Sequence, residues 1–111
     1  MRNKFLVLSL ILALASCDSK TTNEISTPID NSVAPSYLVN IKPILATNCL
    51  SCHSSGGQSP TLETYDQVKI VSGKIQDRIA RTGSGVMPTS GKMAQANIDL
   101  INLWVSKGFN Q

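Results

Sequence analysis

The pentapeptide Cys49-Leu50-Ser51-Cys52-His53 constrains this chain more than any other stretch. The whole sequence holds three cysteines and one histidine, so this segment gathers two of the three thiols and the only imidazole. Two intervening residues put the thiols about one helical turn apart, and an imidazole directly after the second can reach the same point in space. Thiols and imidazole are also the side chains best suited to covalent capture and to binding a transition metal.

Three chemistries use such a spacing. Cys-x-x-Cys-His is the attachment sequence of a c-type haem, in which the thiols add across the two vinyl groups and the imidazole reaches the iron. A Cys-x-x-Cys redox pair of the thioredoxin kind belongs in a βαβ setting, and the flanks here carry no run of β-branched residues. A structural zinc site usually takes four nitrogen or sulfur ligands, which would use every Cys and His in the sequence. The segment is therefore read as the site of one covalent haem c per chain. Cys49 and Cys52 are its tethers and His53 is the proximal iron ligand.

The chain opens with a basic segment, Met1-Arg2-Asn3-Lys4, followed by a mostly aliphatic stretch from Phe5 to Ala15. A stretch of about 11 residues is too short for a bilayer, which takes roughly 20, so residues 1–16 are read as a secretion signal outside the fold. Leu14-Ala15-Ser16-Cys17 resembles the lipobox of bacterial lipoproteins, whose cysteine is lipidated and becomes the new N-terminus. Ordinary cleavage after Ala15 also fits the small-residue rule but would leave Cys17 as an unpaired thiol in an exported protein. With Cys17 lipidated, every cysteine has a role. The expected location is outside the cytoplasmic membrane, anchored through Cys17.

Residues 17–35 are rich in Ser, Thr, Asn and Asp with Pro28 and Pro35, and their few apolar members show no period. They are read as a disordered tether with a reach of roughly 25 Å. Residues 36–111 form the domain, a size at which an apolar core is marginal by itself. Aromatic residues make up only 5% of the chain, so a haem would supply missing core material. The formal net charge is +3, and losing Arg2 and Lys4 leaves eight basic side chains against seven acidic. Such a balance gives no case for nucleic-acid binding.

The periodicity of the domain is helical throughout. Tyr37, Leu38, Ile41, Ile44 and Leu45 share one arc, with Ser36 as N-cap and Pro43 predicted to kink the helix or to start a new one. Residues 54–60, with Gly56-Gly57, are predicted to form a loop. Val68, Val71, Ile75 and Ile79 mark a second helical region that Gly73 can split in two. On it, Arg78 and Arg81 are candidate partners for haem propionates, set against the plainer reading of a solvated face. The last helix spans about 94–107, with Met93 and Ile98 placed as a hydrophobic staple and Gly108 as the stop. Trp104 is assigned to the core rather than to an electron relay.

A glycine-punctuated loop, Thr82-Gly83-Ser84-Gly85-Val86-Met87-Pro88, lies between these regions. With one His in the chain, a second histidine ligand is excluded within a monomer. Met87 is the candidate distal iron ligand, because Met93 has a packing role and Met1 leaves with the leader. An open site, Met93 or a lysine are the alternatives.

Ile41-x-Pro43-Ile44-Leu45, then Cys49-x-x-Cys52-His53, then Met87-Pro88, then a last helix bearing Trp104 and ending near Gly108, resembles the small single-haem class I cytochromes c, especially bacterial lipoprotein forms. The resemblance covers the domain after the tether, though the approach to Met87 is unusually short and glycine-rich. It implies an all-α fold of three to four short helices wrapped around one covalent haem, with the first and last helices packed together. It also implies an electron carrier rather than an enzyme, whose partners are a redox donor and a redox acceptor. No nucleophile and base pair stands beside His53 to suggest otherwise. A monomer is expected. A haem-based sensor or gas-binding module, and an accessory haem subunit of a larger oxidoreductase, are the alternative readings.

Overall fold

The structure is a computed structural model, and it describes residues 29–111. The expected signal peptide, the lipidation site at Cys17 and most of the tether lie outside the described residues. The described part is helical, with no β-strand, and none of its helices is long and apolar enough to cross a membrane. A π-helical turn, Tyr37–Ile41, runs into α1, Lys42–Asn48. Then come α2, Tyr65–Ile70, α3, Ser72–Ala80, and α4, Gln95–Ser106.

Pro43 explains the π-helical turn. Proline has no N–H and its ring clashes with the carbonyl four residues back, so a tight helix cannot run unbroken through it. The preceding turn widens instead: Ile41 N–H donates to the Ser36 carbonyl at 3.3 Å, and the Lys42 N–H donates to Tyr37, each five residues back. The Ser36 hydroxyl caps this turn by accepting from Val39 N–H at 3.4 Å, while Asn40 Oδ1 accepts from Ser36 N–H at 2.9 Å. One expectation fails here. The wider turn keeps Tyr37 and Ile41 inward but swings Leu38 outward, leaving it 62% exposed rather than on the buried arc.

The second helical region is two helices, and the break lies at Val71, not at Gly73, which sits inside α3. A capping box sets the start of α2. The Thr64 hydroxyl accepts from Gln67 N–H at 3.3 Å, and Gln67 Oε1 accepts from Thr64 N–H at 3.0 Å. At α4 the expected staple is present, with Met93 and Ile98 both buried on either side of Ala94.

The end of α4 is a Schellman motif. Gly108, at φ +88°, donates its N–H to the Val105 carbonyl at 3.2 Å, and Phe109 N–H donates to Trp104 O at 3.1 Å. Phe109 then packs edge-on against Trp104, with ring centroids 5.0 Å apart. Tyr37 and Tyr65 complete an aromatic cluster around Trp104, which is fully buried and donates its Nε1–H to Asn110 O at 2.8 Å. The same carbonyl accepts from Tyr37 N–H at 2.9 Å, so α4 and the residues after it are joined to the first turn of the domain. α4 also packs on α3, where Gln76 Nε2 donates to Asn102 Oδ1 at 2.9 Å.

One member of this cluster is not fully satisfied. The Tyr37 hydroxyl is buried with no hydrogen-bond partner among the described residues, and burial pushes its pKa up. A buried polar group without a partner costs about 1–3 kcal/mol. Tyr37→Phe is therefore expected to raise stability by about 1 kcal/mol in denaturant unfolding. A loss of stability instead would mean that the hydroxyl has a partner in solution.

Candidate functional site

The Cys49–His53 segment is built by the end of α1. Thr47 Oγ1 and Asn48 Nδ2 donate back to the carbonyls of Pro43 and Ile44, closing the last turn. Cys49 N–H donates to Leu45 O at 2.8 Å, and then Cys52 and His53 N–H both donate to Cys49 O, at 3.1 and 2.9 Å. The backbone thus makes one further turn that carries both thiols and the imidazole. Neither thiol is in a disulfide; Cys49 is half-buried and Cys52 is exposed. Burial pushes the Cys49 thiol pKa up, which keeps it protonated at neutral pH.

The glycine-rich loop after His53 folds back on it. Gln58 N–H donates to Cys52 O at 2.7 Å and Leu62 N–H to His53 O at 2.8 Å. Gly57 is required at this point, since a Cβ there would collide with the Cys52 carbonyl. Ser55 N–H is held by Glu63 Oε1 at 3.1 Å. The loop's main consequence is chemical: His53 Nδ1 lies 2.8 Å from the Pro60 carbonyl oxygen. A carbonyl only accepts, so Nδ1 is the donor in this contact, and in the neutral ring Nε2 is then the nitrogen that keeps its lone pair.

Met87 comes to the same place from the other side. Its N–H donates to Arg78 O at 3.1 Å, fixing the loop to the last turn of α3. Gly83 and Gly85 both have positive φ, and Arg78 Nη1 donates to Gly85 O at 3.3 Å. A Cβ on Gly85 would come within 2.8 Å of Arg78 Nη1 and 2.9 Å of Arg81 Nη1, so both guanidinium groups rest on this loop.

Cys49, His53 and Met87 together line two neighbouring cavities, of about 300 and 260 Å³. The larger sits at the lower end of the range for cofactor sites and the smaller just below it. The larger has an apolar wall of Leu62, Val71, Ile75 and Ile79. The smaller is rimmed by polar residues of two loops, among them Ser51, Gln58 and Thr89, and Cys52 joins it. Residues this far apart in sequence meet around two neighbouring spaces that share one thiol, an imidazole and a thioether, the larger with a hydrophobic wall and the smaller with the second thiol. That donor chemistry fits a covalent haem. No group of three or more His, Cys, Asp or Glu side chains able to hold a metal occurs among the described residues.

The two arginines separate. Arg78 lines the larger cavity. Arg81 does not, and its Nη2 pairs with Asp77 Oδ2 at 2.7 Å on the exposed side of α3. Met93 is packed in the core beside Ile98 and does not line either cavity. Sequence reasoning missed two participants, Pro60 and Lys74. Lys74 had a readable signal: Lys74 and Arg78 are four residues apart, each just before a member of the Ile75 and Ile79 stripe.

Comparison of this chain with family models, with curated proteins and with solved structures finds no match.

Proposed function

We propose that this protein is a single-haem c-type cytochrome that carries electrons one at a time between a redox donor and acceptor outside the cytoplasmic membrane, to which Cys17 anchors it as a lipoprotein. The observation that carries the reading is the His53 Nδ1 contact with Pro60 O, because it leaves Nε2 free to bind iron beside Cys49 and Met87. Bound there, the haem would supply a ferrous–ferric couple that needs no proton transfer from the protein.

The chain's own residues do the rest. Cys49 and Cys52 would hold the group as thioethers, each giving its sulfur to one vinyl carbon and its hydrogen to the other, so that two C–S and two C–H bonds would replace two S–H bonds and two C=C π bonds with no oxidant required. His53 is held in one tautomer and one ring orientation by Pro60. Leu62, Val71, Ile75 and Ile79 exclude water from one side of the site, which favours the less charged iron state. Met87, on a loop pinned to α3, would be the second iron ligand from the protein. Cys52 and the polar rim around it are exposed, giving a partner protein a short approach.

The test is expression of the domain with haem-attachment machinery, followed by extraction with acidified organic solvent. The pigment is expected to stay with the polypeptide in the wild type and to extract completely from the Cys49→Ala, Cys52→Ala double variant. A wild type that takes up no covalent haem would overturn the proposal and return the cysteine pair to redox or metal chemistry.

A further inference from the structure

Lys74 and Arg78 lie four residues apart on α3, and both line the larger cavity. Side chains at this spacing are neighbours on a helix, and like charges there destabilise it. Neither is offset by a carboxylate. The one carboxylate of α3, Asp77, is taken by Arg81 at 2.7 Å, and that is the only ion pair among the described residues. Arg78 has only the neutral Gly85 carbonyl at 3.3 Å. Apart from these two cations, the charged or titratable residues on the cavity lining are Cys49 and His53, and no acidic residue is among them.

Two exposed cations with no carboxylate partner, at the edge of an otherwise apolar wall, suit a ligand edge carrying two negative charges. We infer that Lys74 and Arg78 bind the two propionate carboxylates of the cofactor, so that α3 fixes which edge of the ring is buried. The inference rests on the haem reading above. Arg78 offers a planar fork of donors and Lys74 a mobile point charge, so the first sets orientation and the second neutralises charge. Arg81, committed to Asp77, is a support for the Met87 loop and not a propionate partner.

The experiment uses the purified haem-loaded protein and its Lys74→Gln, Arg78→Gln, Arg78→Lys and Arg81→Gln variants. Oxidation-induced infrared difference spectra report the propionate carboxylate stretches, and potentiometry reports the midpoint. Lys74→Gln and Arg78→Gln are each expected to shift the carboxylate bands and lower the midpoint, because a less neutralised dianion favours ferric iron. Arg78→Lys is expected to restore part of both, and Arg81→Gln to leave the carboxylate bands unmoved. Loaded variants whose carboxylate bands all match the wild type would overturn the inference while leaving the cytochrome intact. So would band shifts produced by Arg81→Gln as large as those from Lys74→Gln. A wild type without covalent haem would overturn the preceding proposal and this one with it.

Discussion

Met87→Ala is expected to keep the covalent pigment but abolish the thioether-to-iron charge-transfer band of the ferric protein. The reduction potential should fall by roughly a tenth to a few tenths of a volt, within the roughly 0.8 V that axial ligands command. The reason lies in the donor set. His53 is the only histidine, Met93 is buried at the start of α4, and of the two methionines among the described residues only Met87 lines the cavities. A thioether stabilises ferrous iron, and its loss removes that preference. The ferrous variant should also take up carbon monoxide rapidly, whereas the wild type should not. A spectrum indifferent to the substitution would move the sixth ligand elsewhere. Rapid carbon monoxide binding by the wild type would favour the sensor reading over an electron carrier.

Trp104→Ala is expected to cost about 3–5 kcal/mol, the usual range for emptying a buried aromatic site. Trp104 has no exposed surface, touches Tyr37, Tyr65 and Phe109 through ring centroids 5.0–6.1 Å apart, and binds Asn110 O. A domain of this length has a total stability of only about 4–12 kcal/mol. The substitution should therefore lower the melting temperature by at least about 15 °C in thermal circular dichroism. A change of only a few degrees would show that the aromatic cluster is not what holds α4 to the first turn. Trp104→Phe should recover part of the loss, since it restores ring packing but not the hydrogen bond.

Local rules that depend on one or two side chains were legible in the sequence. Ser36 as a cap, Met93 with Ile98 as a staple and Gly108 as a stop all stand where those rules put them. What was not legible depends on how the chain winds or on what it meets later. Pro43 implies a disturbed helix, but whether the turn before it tightens, breaks or widens is decided by packing of Tyr37 and Ile41, and that choice exposes Leu38. Gly73 looked like the break, yet glycine only weakens a helix, and the break falls two residues earlier, where the Val71 backbone (φ −104°, ψ 12°) leaves helical geometry. Phe109 has no period to reveal it, because it is placed by the left-handed backbone after α4.

The site divides in the same way. Cys49, Cys52 and His53 are adjacent in sequence and could be read as a unit. Met87 required an argument by elimination, and the structure brings it to His53 through a backbone bond to Arg78 that no side-chain pattern encodes. Pro60 acts through its carbonyl, which every residue possesses, so its role at His53 could be seen only once the loop was folded.

The Asn110 carbonyl, shared by Tyr37 N–H and Trp104 Nε1–H, also sets a path for mechanical load. A pull arriving along the chain ahead of Ser36 enters the domain at Tyr37 and passes directly through that carbonyl into α4. None of Tyr37, Trp104 and Asn110 lines either cavity, so this route leaves out Cys49, His53 and Met87. Drag on a protein held by its upstream end would thus be taken by the aromatic clasp, sparing the arrangement of Cys49, His53 and Met87.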